Sequence, residues 1–353
     1  MEYILNDVLE IKNGKNQKAV ENSEGQYPIY GSGGVIGYAD DYICDADTVV
    51  IGRKGSINNP IYVSEPFWNV DTAFGLVARR EVLLPRYLFY FCKKFDFEKL
   101  NKTVTIPSLT KSDLLNIKIK LPDIDEQQLV VDKLIRIESV MEFRKQELNV
   151  LDNLIKARFV ELFDGKYPED TLLNLCNIVD YRGKTPEKVE HGLPFITAKN
   201  VKMHHMTLEP REYISKETYD KVMVRGFPKE GDVVFTTEAP LGNVCRIPHF
   251  DTEFYIGQRI VTMQTDALNP TYLEYALSDE EFVRKYMGKS SGSTVTGIRV
   301  RLLQQLTIPV PARTLQDEFS TFVNQVDKSK VAVQKALDET QMLFDSLMQE
   351  YFR

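Results

Sequence analysis

Apolar and polar positions along this chain fall into two regimes, and each regime occurs twice. Between 123 and 165 the apolar residues Val130, Leu134, Ile137, Met141, Leu148, Leu151, Ile155 and Leu162 recur at helical spacing. Positions 134, 137, 141, 144, 148, 151, 155, 158 and 162 step alternately by three and four, a heptad seam interrupted by Arg144 and Arg158. At a constant offset of 189 the pattern returns over 312–353, as Phe319, Val323, Val326, Lys330, Leu337, Thr340, Phe344 and Tyr351. Gln127 aligns with Gln316, and Phe159-Val-Glu-Leu-Phe163 with Met348-Gln-Glu-Tyr-Phe352. Each copy predicts an amphipathic helix of about 37 residues, roughly 55 Å long. Asp125 and Thr314, each followed three residues later by a polar partner, are the expected caps. Phe163-Asp164-Gly165, with Pro168 beyond, is the expected end of the first helix.

The segments 1–122 and 166–311 alternate short β-rich runs with helical ones and repeat each other more faintly. Asp47-Thr-Val-Val50 aligns with Asp232-Val-Val-Phe235, and Pro85-Arg-Tyr-Leu-Phe-Tyr90 with Pro270-Thr-Tyr-Leu-Glu-Tyr275. Asn116-Ile-Lys-Ile-Lys-Leu-Pro122 matches Gln305-Leu-Thr-Ile-Pro-Val-Pro311 as a strand closing each segment. Strands at Asp47–Gly52, Phe74–Arg79 and Asp232–Thr236, with helices near 86–95 and 271–287, predict an α+β head in each. The expected architecture is two similar heads (1–122 and 166–311), each followed by a long helix (123–165 and 312–353). The helices pair as an antiparallel coiled coil with pseudo-twofold character. Its seam runs through Leu134, Ile137, Met141, Leu148, Leu151 and Ile155 in one helix and Val323, Val326, Leu337, Phe344 and Leu347 in the other. The competing arrangement packs each helix on its own head.

With 353 residues, 43% of them hydrophobic and 27% charged, the chain has room for two domains plus helical connectors. No run approaches the ~20 apolar residues of a membrane span, and the first residues lack a secretory signal pattern. Cys44, Cys92, Cys176 and Cys245 are isolated, which argues against zinc or disulfides and for a reducing cytoplasm. Five of the seven excess negative charges fall in residues 123–168 and 312–353, so the heads are close to neutral and local basic grooves on them are compatible with phosphate contacts.

In its order of parts the whole chain resembles the specificity subunit of a Type I restriction–modification system. Phrases carrying the resemblance in the first head are Tyr27-Pro-Ile-Tyr-Gly-Ser-Gly-Gly34, Ile51-Gly-Arg-Lys-Gly-Ser-Ile57 and Phe67-Trp-Asn-Val-Asp-Thr72. In the second they are Tyr181-Arg-Gly-Lys-Thr-Pro186, Pro194-Phe-Ile-Thr-Ala-Lys-Asn200 and Phe235-Thr-Thr-Glu-Ala-Pro-Leu-Gly-Asn243. The resemblance implies two target-recognition domains, each reading one half of a bipartite, asymmetric double-stranded DNA target. It implies that the helices set the spacer and dock two methyltransferase subunits that use S-adenosylmethionine. Two restriction subunits with ATP and Mg complete such a complex, while this chain itself binds no cofactor and is not catalytic. A Type IIB-like specificity subunit and a coiled-coil scaffold that binds no DNA are the alternatives.

Motifs for chemistry agree with a non-enzymatic chain. Asn59-Pro60-Ile61-Tyr62 lacks the second proline of an adenine-methyltransferase turn, Gly31–Gly37 fails the GxGxxG spacing at Ile36, and no GxxxxGK[ST] loop occurs. His204-His205 reads as a surface loop without a third metal ligand. Base readout calls for Arg, Lys, Asn or Gln on exposed loops. The candidates are Arg53, Lys54 and Lys102 in the first head, and Arg182, Lys184, Lys199, Asn200, Gln258, Arg259 and Arg299 in the second. Tyr30, Trp68 and Tyr181 are candidate supports, with a core role favoured for Trp68.

Overall fold

The computed structural model describes residues 1–101, 107–165, 167–181, 186–292 and 296–353. The chain divides into two compact units, Met1–Glu147 with Val333–Arg353, and Leu148–Ala332. Each unit therefore contains one head together with part of each long helix.

In the first head a four-stranded antiparallel sheet runs in the order Leu9–Asn13, Ala73–Ala78, Thr48–Gly52, Ile61–Val63. Thr48–Gly52 is buried at every position because it is paired on both edges and covered on both faces. A second sheet orders Gly34–Ala39, Tyr27–Gly31 and Trp68–Asn69, the last pair parallel. Glu2–Ile4 pairs with Lys118–Lys120, so the closing strand predicted at 116–122 joins the two ends of the head.

The second head repeats this plan. Its four-stranded sheet is Asn177–Asp180, Ile260–Gln264, Val233–Thr237, Leu241–Arg246, and its three-stranded sheet is Tyr213–Ile214, Leu193–Ile196, Tyr255–Ile256. Glu169–Thr171 pairs with Thr307–Pro309 as the closing strand. A proline-initiated helix packs in each head, Pro85–Lys94 and Pro270–Ser278. The single helix predicted over 271–287 is two. Asp279 leaves helical geometry (ψ 146°) and its side chain accepts the Glu281 N–H to cap a new helix, Glu280–Met287.

The long helices span Ile124–Phe163 and Arg313–Tyr351, 40 and 39 residues. The first ends at Phe163, as expected, but the caps lie earlier than Asp125 and Thr314. Asp123 accepts the Glu126 N–H at 2.8 Å, and the second helix begins after Ala312, whose carbonyl accepts from Leu315. An aspartate two residues upstream captures the free N–H groups first, so Asp125 is already inside the first turn.

In the first unit Val130, Val131, Leu134, Ile137 and Met141 share one apolar cluster with Leu337, Phe344, Leu347 and Met348 and with the head's own core. In the second, Leu151, Ile155, Phe159 and Phe163 share a cluster with Phe319, Val323 and Val326 and with that head's core. The two arrangements weighed from sequence thus hold together: the helices pair, and the pair packs on each head. Leu148 is half-buried and belongs to neither cluster. Arg158, which interrupts the seam, reaches across to Glu318 at 2.6 Å, and Lys330 reaches Asp152 at 2.6 Å.

Gln127 and Gln316 fasten the helices to the heads. Both are buried, at 0% and 1% exposure. Gln127 accepts the Leu84 N–H at 2.9 Å and donates to the carbonyls of Val82 (2.9 Å) and Pro122 (3.0 Å). Gln316 accepts the Asn269 N–H at 2.8 Å and donates to the Pro311 carbonyl at 2.8 Å. Leu84 and Asn269 are the cap residues just before Pro85 and Pro270. Leaving such a buried backbone donor unpaired costs roughly 1–3 kcal/mol. Gln127→Ala is accordingly expected to lower unfolding stability by about 1–3 kcal/mol. Denaturant unfolding checks it, and a change within error of zero would show the clamp to be dispensable.

Candidate nucleic-acid interface

The strand Thr48–Gly52 delivers the loop Arg53–Gly55 to the surface of the first head. A Cβ at Gly52 would lie 2.4 Å from the Ser56 carbonyl oxygen, and Gly55 has φ +81°, so both positions require glycine. The loop backbone is held from two sides. Arg53 N–H donates to Thr72 O at 2.8 Å, Leu109 N–H donates to Arg53 O at 2.9 Å, and Gly55 N–H donates to Pro107 O at 3.1 Å. The side chains of Arg53 and Lys54 are exposed, with the Arg53 guanidinium 5.7 Å from the Phe74 ring centre. A fixed backbone carrying exposed cations is the arrangement that base or phosphate contacts need.

The second head builds the same frame. Thr237 N–H donates to Arg259 O at 2.8 Å, and Ile298 N–H donates to Thr237 O at 2.9 Å. Lys54 forms a bridge with Ser108, and Glu238 forms one with Gly297. The parallel strand pairs match as well: Ile29 with Trp68 corresponds to Phe195 with Tyr255. These pairings place Arg53 with Thr237, Lys54 with Glu238, and Thr72 with Arg259. In sequence the last equivalence is Phe67-Trp-Asn-Val-Asp-Thr72 against Phe254-Tyr-Ile-Gly-Gln-Arg259, at an offset of 187. That shared phenylalanine was the available signal for the Thr72–Arg259 match, whereas the match of Glu238 to Lys54 comes from the backbone bridges alone.

The remaining candidates divide by exposure. Lys199, Arg259 and Arg299 are exposed, and Gln258 is half-buried. Arg259 has φ 75°, and its Nε lies 2.9 Å from Glu238 Oε1. Asn200 is a correction, because it is 1% exposed and its amide is already engaged. Its Oδ1 accepts from Thr197 N–H and Oγ1 at 2.9 Å each, and its Nδ2 donates to the carbonyls of Thr207 and Pro210 at 3.1 Å each. It holds a turn rather than offering a polar group to a partner. Lys102, Arg182 and Lys184 lie outside the described residues.

Aromatic candidates are chiefly structural. Trp68 is buried and donates from Nε1 to the Lys15 carbonyl at 3.0 Å. Tyr181 is buried, donates to the Gly226 carbonyl, and meets Tyr255 edge-on with ring centres 5.5 Å apart. Tyr30 is half-buried, and burial raises its phenol pKa. His204 also departs from the surface-loop reading. Its ring stacks on Tyr275 at 4.2 Å, and Nδ1 lies 2.9 Å from the buried Glu274, which also takes Arg246 Nε at 2.6 Å. No cluster of three metal-ligating side chains occurs among the described residues. All four cysteines are free and buried, and burial pushes the Cys44, Cys176 and Cys245 thiols up to about 12. They are poor nucleophiles at neutral pH.

Comparison with known proteins shows what the chain resembles. Residues 1–153 match the model of the Type I restriction modification DNA specificity domain. The Type I restriction enzyme MjaVIII specificity subunit of Methanocaldococcus jannaschii is 24% identical over 331 residues, covering 83% of this chain and 74% of that protein. The Type I restriction–modification S subunit from M. genitalium superposes with a TM-score of 0.62 at 16% identity, covering 100% of this chain and 96% of that one. A chain from a structure addressing complex assembly and conformational transition of the type I R-M system gives 0.61 at 18% identity, covering 100% and 97%. Over most of its length the chain is thus similar to Type I restriction–modification specificity subunits, and its residues 1–153 match their DNA specificity domain.

The geometry separates two neighbouring candidates experimentally. Asn200→Ala is expected to destabilise the second head by about 1–3 kcal/mol through its unpaired carbonyl and N–H partners. Lys199→Ala is expected to leave stability within about 0.5 kcal/mol, as for an ordinary surface substitution. Thermal unfolding of the two variants checks this, and equal melting temperatures would contradict the structural role of Asn200.

Proposed function

We propose that this chain is the DNA-specificity subunit of a Type I restriction–modification complex, with each head reading one half of an interrupted, asymmetric target. The observation that carries the reading is the shared backbone frame of the two heads, which holds different side chains at matched positions. Arg53 and Lys54 stand in one head where Thr237 and Glu238 stand in the other. One scaffold with two sets of exposed groups is what two different half-sites require. The chain contributes recognition and no catalysis. Methyl transfer, with S-adenosylmethionine, and ATP-driven translocation with Mg belong to partner subunits, two of each kind.

The long helices set the unread spacer and dock the methyltransferases. Apolar side chains left in solvent on them support a docking role: Phe143 is 67% exposed on the first helix, and Val331 and Met342 are each 71% exposed on the second. No helix among the described residues is long and apolar enough to cross a membrane, and a cytoplasmic location suits a subunit that acts on the host's DNA.

Methylation-sensitive long-read sequencing tests the reading. Cells expressing this chain with its methyltransferase should carry a modified, interrupted, asymmetric motif absent from cells with the methyltransferase alone. A soluble complex that leaves no new motif would contradict the reading. Within that assay, Arg53→Ala is expected to relax one position of one half-site, at a cost of about 1–3 kcal/mol for a base contact. Uniform loss across both half-sites would mean that Arg53 does not read a base.

A further inference from the structure

We propose that Glu238 reads the second half-site, accepting a hydrogen bond from the exocyclic amino group of a cytosine in the major groove, with Arg259 as its positioning residue. The inference rests on the DNA-reading function proposed above and adds a named reader and a base.

Three observations lead to it. First, Glu238 occupies the place of Lys54, as the matched bridges to Gly297 and Ser108 establish. Charge is transposed between the heads: the first has its cations on the loop after the central strand, and the second has a carboxylate there. The second head's cation, Arg259, stands instead on the segment that corresponds to Thr72. Second, the side chains of Glu238 and Arg259 remain 42% and 51% exposed while lying 2.9 Å apart. An exposed pair of this kind contributes little to stability, so folding alone gives no reason for it. Third, two non-glycine residues at this spot, Ala239 (φ 49°) and Arg259 (φ 75°), adopt left-handed backbone geometry. Such conformations persist only where the surrounding structure enforces them, and they concentrate at functional sites.

The chemistry then selects the base. An ionised carboxylate only accepts hydrogen bonds, and among major-groove edges it is matched to the cytosine N4 amino group. Lysine and arginine, which only donate, are matched to guanine O6 and N7. The same frame therefore carries an acceptor in one head and donors in the other. This is a direct physical source of asymmetry between the half-sites.

The test uses the full chain in complex with its methyltransferase, bound to a pool of DNA duplexes randomised across both half-sites, with the bound fraction sequenced. The wild-type complex should enrich cytosine at one position of one half-site. Glu238→Gln should lower that preference by about tenfold and admit adenine, since glutamine pairs with adenine N6 and N7. Glu238→Arg should move the preference to guanine. The other half-site should stay unchanged in both variants, which also reports that the complex is folded. An unaltered cytosine preference in Glu238→Gln would overturn the assignment of Glu238. Arg259→Gln should weaken the cytosine preference without moving it to another base, and a move to another base would overturn the positioning role of Arg259. A wild-type complex that enriches no interrupted motif would instead bring down the functional reading itself.

Discussion

The structure depends on a buried glutamine used twice. A helix that starts with proline leaves the N–H of its preceding residue without an internal acceptor. In each head that residue, Leu84 or Asn269, is satisfied by the side-chain oxygen of Gln127 or Gln316, four residues into a long helix. The same amide donates back to the carbonyl of the proline that ends the head, Pro122 or Pro311. A primary amide is the side chain that can accept one backbone group and donate to another at once. The angle at which each head meets its long helix is therefore fixed by paired polar groups, and apolar packing by Phe319 or Leu134 fills in around them.

With that joint fixed, the heads are free to differ where they face outward. The central strands Thr48–Gly52 and Val233–Thr237 are buried at every position and paired on both edges. Their C-terminal ends meet the chain at Leu109 and Ile298 by the same hydrogen bond. Arg53, Lys54 and Glu238, just beyond or near those ends, and Arg259 beside them keep their side chains exposed or half-buried, so they can vary with little disturbance to the core. Duplication of a scaffold with divergence of its exposed loops is a physical route to a two-part, asymmetric recognition surface.

The repeat was legible in sequence because its cause is periodic. Burial along a helix forces apolar residues to recur, and Leu134, Met141, Ile155, Val323 and Phe344 all entered the expected clusters. The closing strands and the proline-started helices were legible for the same reason. What was not legible depended on the path of the backbone through turns and caps, which has no period to betray it. Asn200 looks like a loop residue by composition, yet its amide is spent on Thr197, Thr207 and Pro210. Asp123 displaced Asp125 as the cap because either aspartate satisfies the local pattern and only the chain's path distinguishes them. Glu238 escaped notice because a search for donors passes over a carboxylate. Only the matched backbone frame of the other head shows that it stands where Lys54 does.

The central claim is that two separately reading heads are spaced by the paired helices, and altering their length tests it most directly. One heptad would be inserted in each helix, between Met141 and Leu148 in the first and between Val326 and Leu337 in the second, to preserve the seam. Each insertion adds about 10 Å, equivalent to roughly three base pairs of DNA. The target of the altered complex would then be read by methylation-sensitive sequencing. The account predicts both half-sites unchanged and the gap between them longer by about three base pairs. An unchanged gap in a complex that still methylates would contradict it.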